Sequence, residues 1–454
     1  MQAVHISDSN LHAVKTGHSE SAAFPCYASW WSPAAACPVE LYMLVLLALA
    51  VAAGTSADGT APEQRSHTVK VCSVLSYGHG CVGDGVANCT AAFHRAITDC
   101  RSHTPDERPQ LLVPAGTFLT GPFELSGSGW DSGSLRVEGT VLATPMGAGW
   151  PPFTSELRFI RISNATGFEL TGNGTIDGQG AAWWAMARAN PHTPSVSKAR
   201  PPLVGVGSVQ HLRVSQITLQ NSPRFHLPLS SCSDVVIDGI TIRAPRDAPN
   251  TDGIDVGGCT DVVIRNCHIV NGDDNVAVGS GSSGVLVEHN YMENGHGTSI
   301  GSLGFNFAVA HVSNVTVRHN VYNRTSNVAR IKTWQGGRGE CSDIHYSNLT
   351  LIDVENALLI DQFYCPGSQK HPDGQAHCKN YSSAVKVSGI RFSDIVGTHS
   401  DETAGKFSCS DTVPCEFQMS NVTLSRTGGK PDRWDCWNAH GSMTDVTPKP
   451  CKMP

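Results

Sequence analysis

Positive charge, long apolar runs and closely paired cysteines are all scarce in this chain of 454 residues. Its 32 Lys and Arg are outnumbered by 39 Asp and Glu, a formal net charge of −7. That balance excludes the global basic field that draws nucleic acid, so an acidic ligand would need a local cationic site. The 16 cysteines include no pair at the clustered spacing of a zinc ribbon, and no metal or other cofactor is expected. The apolar run Leu44 to Ala53 falls short of the roughly 20 residues that span a bilayer, so no stable membrane span is expected in the mature protein. Helical periodicity is scarce too. Ala91 to Cys100, with Phe93, Ala96, Ile97 and Cys100 on one face, is the best helix candidate.

What the chain does have is glycine and turn chemistry. Its 45 glycines beside only 16% charged residues suit many short strands joined by tight turns. Sequons begin at Asn88, Asn164, Asn173, Asn314, Asn323, Asn348, Asn380 and Asn421. Together with the cysteines they imply an oxidising, secretory compartment, and a secreted, extracellular protein is expected. Leu44 to Ala53, followed by the small residues Gly54, Thr55, Ser56 and Ala57, fits a signal-peptide core. Met43 directly precedes it and is the expected true start; a buried apolar element of the mature fold is the alternative. The expected division is an N-terminal extension and signal peptide over 1–57, a β domain over 58–399, and a Cys-rich segment over 400–454 that packs on its end.

From about Leu111 the chain repeats an apolar–turn–apolar grammar: Val235-Val236-Ile237, Val262-Val263-Ile264, Val285-Leu286-Val287, Val315-Thr316-Val317, Leu349-Thr350-Leu351. Asn266, Asn290, Asn320 and Asn348 punctuate it, and Asn at turns tolerates left-handed backbone. The irregular spacing leaves a β-sandwich open. Recurrence of polar motifs at 21 and 23 residues, from Asp252 to Asp273 to His296, favours a solenoid with coils of roughly 20–30 residues. Stacked coils would bring equivalent positions to about 4.8 Å. The helix at 91–100 would then cap the open N-terminal end.

Four short motifs mark this ladder: Asn250-Thr251-Asp252-Gly253, Gly272-Asp273-Asp274, Gly295-His296-Gly297 and Arg330-Ile331-Lys332. Alone, each reads as a turn, a solvated edge or a packing residue. Together they gather three carboxyls, an imidazole and two cations. Stacked carboxyls repel when both ionise, so one keeps its proton and their pKa values split, as acid–base hydrolysis requires. Asp273 and Asp274 would face opposite sides of a regular strand, so a bend at Gly272 is expected.

At these motifs the chain resembles the plant-type polygalacturonases, glycoside hydrolase family 28. Further matches run through Gly83-Asp84-Gly85, Val113-Pro114-Ala115-Gly116, Gly174-Thr175-Ile176-Asp177-Gly178, Asn221-Ser222-Pro223 and Ser299-Ile300-Gly301-Ser302-Leu303-Gly304. The resemblance covers roughly 70–400. It implies an all-β, single-stranded right-handed parallel β-helix of the pectin lyase-like kind, hydrolysing α-1,4 bonds of pectic galacturonate with inversion. By motif position Asp273 is the implied general acid. Asp252 and Asp274 hold and activate water, and His296 tunes the acid. Arg330, Lys332, Tyr364 and Asn250 contact substrate. Many relatives carry Cys where this chain has Asn275 and Met292, so one local disulfide is expected to be missing and the loop less rigid. Exo action, rhamnogalacturonan or xylogalacturonan hydrolysis, a calcium-assisted pectate lyase and a non-catalytic carbohydrate-binding β-helix are the alternatives. A monomer is expected.

Overall fold

Apolar residues at every second position of a strand bury one face, and here those faces stack. In the computed structural model Val235, Val262, Val285, Val315, Ile344, Ile390 and Phe417 occupy one continuous file of parallel register, each of them buried. The structure describes residues 67–453 apart from 79, 148–149, 151–156, 191–198 and 366–380. The expected signal peptide, the start at Met43 and the sequon at Asn380 lie outside the described residues. The described residues fall within one compact unit, Gln64–Pro454.

The strands are joined in parallel into a 22-stranded and an 11-stranded sheet. The larger comprises two stacks. One runs through Ser233–Asp238, Thr260–Arg265 and Ser282–Glu288, the other through Thr241–Arg243, His268–Asn271 and Tyr291–Asn294. The 17-residue strand Arg338–Val354 spans both. With the 11-stranded sheet as third wall, each coil contributes three short strands to a right-handed parallel β-helix, and the sandwich alternative falls away.

The turn asparagines divide into two kinds. Asn266 and Asn348 take left-handed backbone, φ 55° and 52°. Asn290 and Asn320 instead turn inward and are buried. The Asn290 backbone N–H donates to Asn320 Oδ1 at 2.8 Å, and Asn290 Oδ1 accepts from the Cys267 N–H at 2.9 Å. This ladder satisfies backbone groups that no strand partner reaches.

Helix α1 (Thr90–Cys100) buries Ala92, Phe93, Ala96, Ile97 and Cys100 over the N-terminal end, as its periodicity predicts. The Cys72–Cys100 disulfide pins its last residue to the first strand, Thr68–Ser73. The break expected at residue 400 is absent. Strands Thr403–Ser408, Cys415–Arg426, Arg433–Trp437 and Ala439–Thr447 continue the stacks in parallel register. Disulfides Cys409–Cys415 and Cys436–Cys451 staple these last coils rather than a separate wrapping segment. Their polar outward residues hid the period.

Candidate active site

The three candidate acids and His296 sit in turns, not strands, and the turns are hydrogen-bonded coil to coil. Asp252 precedes the strand Ile254–Gly257, Asp273 and Asp274 precede Val276–Val278, and His296 precedes Thr298–Leu303. The Gly253 N–H donates to the Asp274 carbonyl at 2.9 Å, the His296 N–H to the Asp273 carbonyl at 2.8 Å, and the Asn275 N–H to the Gly297 carbonyl at 2.9 Å. Strand alternation therefore never separates Asp273 from Asp274. Gly272 has a packing reason: a Cβ there would lie 2.4 Å from the Ala248 carbonyl oxygen.

Register refines the expected ladder. Ile254 pairs with Val276 and Val276 with Thr298. Two residues earlier, Asp252, Asp274 and His296 are therefore stacked equivalents, and Asp273 stands one position aside. Asp252 and Asp274 are both buried, but their surroundings differ. Burial and the charges of Asp273, Asp255 and Asp274 push the Asp252 carboxyl well above the ordinary carboxylate range. Asp252 Oδ1 has no hydrogen-bond partner among the described residues. The carbonyl of Asp252 is held by His226, whose backbone N–H and Nδ1 lie 2.8 and 3.0 Å away. Burial lowers His226 to about 4, so this support is a neutral imidazole.

Asp274 goes the other way. Burial opposes its charge, but Lys332 and Arg330 override it and hold the carboxyl well below the usual range. Lys332 Nζ donates to Asp274 Oδ2 at 2.8 Å, Arg330 Nη2 and Ser299 Oγ donate to Oδ1, the latter at 2.7 Å. Arg330 Nε also donates to Ser299 Oγ at 3.0 Å. The strand Asn327–Thr333 points both cations outward over the turn, with Ile331 buried between them. They are thus committed first to Asp274, whereas the sequence suggested cations waiting only for substrate. Asp273 is half-buried. His296 Nδ1 lies 3.0 Å from its Oδ1, and Asn250 Nδ2 donates to its Oδ2 at 3.3 Å. Asn250 is itself fixed by the buried Arg200, which donates to its Oδ1 at 2.6 Å. Tyr364 is half-buried, its ring centroid 5.5 Å from Lys332 Nζ and its ring edge-on to Trp334. All eight expected residues are thus brought to one wall or its rim.

Ligand atoms of Asp273, Asp274 and His296 lie within 4.8 Å of one another, a spacing that suits a cation. Both Asp274 oxygens are already bonded to Lys332, Arg330 and Ser299, so a divalent ion would have to displace two fixed positive charges.

Sequence reasoning missed Asp255. It points outward from Ile254–Gly257, and burial with the charges of Asp274 and Asp273 pushes its carboxyl up to about 8. The signal was its place three residues after Asp252, on the same strand entry. A carboxyl protonated in the native state and ionised in the unfolded chain makes stability fall as pH rises from about 4 to 8. Asp255→Asn should flatten that fall. Melting temperatures of both proteins at pH 5 and pH 8 check it, and equal slopes would remove the assignment.

Asn275 was also misjudged as a loss of rigidity. Its Nδ2 donates to Asn271 Oδ1 at 2.6 Å and its Oδ1 accepts the Gly297 N–H at 2.8 Å, while Asn271 Nδ2 donates to the carbonyls of Thr251 and Asp274, both at 2.8 Å. Two amides thereby tie three successive turns where a missing disulfide was expected to loosen the loop. Asn275→Ala strands buried donors and acceptors and should destabilise by about 1–3 kcal/mol, read by urea unfolding.

Comparison with known proteins gives the family. The profile of Glycosyl hydrolases family 28 matches residues 100–448. The chain belongs to that family. A polygalacturonase of Chamaecyparis obtusa is 39% identical to this family 28 chain over 378 residues, covering 82% of this chain and 71% of its own length. Polygalacturonase-2 of Solanum lycopersicum is 34% identical over 385 residues, covering 84% and 80%. Among solved structures, the polygalacturonase of Erwinia carotovora ssp. carotovora superposes with a TM-score of 0.65 at 26% identity, covering 85% of this chain and all (100%) of that one. The endo-xylogalacturonan hydrolase of Aspergillus tubingensis shares the fold, with a TM-score of 0.67 at 22% identity over 83% and 98%. This family 28 chain is a glycoside hydrolase with a parallel β-helix scaffold.

Proposed function

We propose that this glycoside hydrolase is a secreted polygalacturonase that cleaves α-1,4 bonds between galacturonates of pectin with inversion. One observation carries the reading: two buried carboxyls, Asp252 and Asp274, occupy equivalent places in successive coils, the first pushed above the ordinary carboxylate range and the second held below it, beside the half-buried Asp273. Asp273 donates its proton to the departing glycosidic oxygen. A water held by Asp252 attacks the anomeric carbon from the opposite face and yields its proton to Asp274. One proton thereby moves from Asp273 to Asp274 per turnover. His296 and Asn250 orient Asp273. Arg330 and Lys332 keep Asp274 ionised, and with Tyr364 they offer a cationic, aromatic seat for a uronate.

Secretion is supported by four disulfides among the described residues and by sequon asparagines 88, 164, 173, 314, 348 and 421, all exposed. No helix among the described residues is long and apolar enough to cross a membrane.

The decisive experiment is digestion of polygalacturonate by the purified protein. New reducing ends without ultraviolet absorbance support hydrolysis, and absorbance from a C4–C5 double bond would make it a lyase. NMR of the first product should show the inverted, β anomer; a retained α anomer would overturn the single-displacement scheme. Bound polymer with no cleavage would leave a binding protein.

A further inference from the structure

Parallel register stacks each residue on its equivalent in the next coil, and at one turn this sets two thiols against each other. Cys232 lies between the strands Leu227–Ser230 and Ser233–Asp238, and Cys259 between Ile254–Gly257 and Thr260–Arg265. Ser233 pairs with Thr260, so the two cysteines just before them are successive rungs of one inward file. Val209 is the rung before and Ser282 the rung after, because Gln210 pairs with Ser233 and Thr260 with Ser283. All four are buried. The Cys232 N–H donates to Cys259 Sγ at 3.3 Å and the Cys259 N–H to Ser282 Oγ at 3.4 Å.

Four cysteines among the described residues carry free thiols: Cys232, Cys259, Cys267 and Cys341. The last two have no thiol on an adjacent rung. Cys267 stacks between Ile240 and Asn290, and Cys341 between Val312 and Val387. Small buried thiols ordinarily serve as packing. Cys232 and Cys259 differ because equivalent positions in adjacent coils stand about 4.8 Å apart, inside the Cα separation of roughly 4.4–6.8 Å that a disulfide spans. The two thiols are already hydrogen-bonded to each other, which draws Cys232 down to about 7 and pushes Cys259 up. Their remaining bonds run to the carbonyls of Ser230 and Gly257, at 3.5 and 3.3 Å. Those carbonyls also accept the N–H groups of Ser208 and Ser231, at 2.8 and 2.9 Å. Joining the sulfurs therefore leaves no buried carbonyl without a partner.

We propose that Cys232 and Cys259 are joined in the secreted protein by a disulfide that staples the coil carrying His226 to the coil carrying Asp252. The Cys232 thiolate attacks a disulfide donor of the secretory compartment, forming a mixed disulfide and releasing one donor thiolate. The Cys259 thiolate then attacks Cys232 Sγ and expels the second donor sulfur. The cysteine pair is oxidised by two electrons, the donor disulfide is reduced to two thiols, and the protons of the cysteines end on them. Both sulfurs are sealed in the finished helix, so exchange takes place while the coils dock. The bond closes a loop across a separation of 27 residues and stabilises chiefly by constraining the unfolded chain. This inference uses the secretory reading and is independent of the hydrolytic one.

Peptide mapping of the full chain, secreted from eukaryotic cells, tests it. Trypsin separates the cysteines: Cys232 falls on 225–243, Cys259 on 247–265 and Cys267 on 266–318. The protein is unfolded without reductant in the presence of N-ethylmaleimide, then digested and weighed. Peptides 225–243 and 247–265 should appear linked, two hydrogens lighter than their sum, while Cys267 and Cys341 carry the alkyl group. Alkylated Cys232 and Cys259 would overturn the bond. If Cys72 and Cys100 were alkylated as well, the oxidising compartment would fall with it. Cys232→Ala, Cys259→Ala and the double variant measure the contribution of the bond. Either single change removes it whole, so all three should lower the melting temperature by a similar amount, about 5 °C. Losses that add in the double variant would mean two separately packed side chains and would also overturn it.

Discussion

Asp273→Asn should lower kcat on polygalacturonate by about 10²–10⁴-fold while leaving the melting temperature nearly unchanged. The amide oxygen can still accept the Asp274 N–H that now reaches Asp273 Oδ1 at 2.9 Å, so the turn keeps its shape. The residue is only half-buried, so no carboxylate is stranded or removed from a core. What disappears is the acidic proton for the leaving oxygen. The loss should therefore shrink on a galacturonide with an aryl leaving group that needs no protonation, while KM on polymer changes little. Activity within tenfold of wild type, or an equal loss on both kinds of substrate, would take the acid role from Asp273.

Lys332→Met should both abolish turnover and destabilise the fold. Lys332 is buried and its Nζ lies 2.8 Å from Asp274; losing it leaves a buried carboxylate with Arg330 as its remaining cation, at about 3 kcal/mol. The sign of the pH dependence follows from Asp274, whose folded-state carboxyl is held below the usual range. Such a group stabilises the native state above its unfolded pKa of about 4, and that contribution is lost as pH falls through the folded value. The variant weakens the depression. Its deficit relative to wild type should be largest near pH 7 and shrink below about pH 4 as the variant's carboxyl protonates. Urea unfolding of both proteins at pH 7 and at the acid edge of stability measures it. A deficit independent of pH would mean lost packing around the methylene stem, not lost charge. Turnover should fall because Lys332 no longer fixes the Asp274 carboxylate that receives the proton from water.

These two residues illustrate how much of the site was legible in advance. The polar motifs and their order located Asp252, Asp273, Asp274, His296, Arg330 and Lys332, because turn chemistry is local and a repeat of about one coil brings local things together. Register was not legible. The coil between Gly253 and Asn275 is 22 residues, so Asp274 rather than Asp273 stacks on Asp252, and one residue decides which carboxyl is buried. Asp255 escaped because an outward Asp in a strand ordinarily meets water; here its carboxyl is enclosed by residues from other coils. Asn275 was read by what it replaced, since a hydrogen bond to an amide 22 residues later leaves no mark in composition. The continuation of the helix past residue 400 was hidden by strands whose exposed faces are polar and whose buried faces hold few, large residues such as Phe407, Phe417 and Trp434.

The ion pair between Asp274 and Lys332 joins residues 58 apart in the chain, and synthesis runs in one direction. Each coil docks only on the one before it, so a nascent chain stacks its three acids while their counter-cations are still inside the ribosome. Until Arg330 and Lys332 emerge, Asp274 lacks the two cations it pairs with in the finished fold. The catalytic wall is therefore the last part of its neighbourhood to settle, and its closure waits on two further turns of the spiral being made.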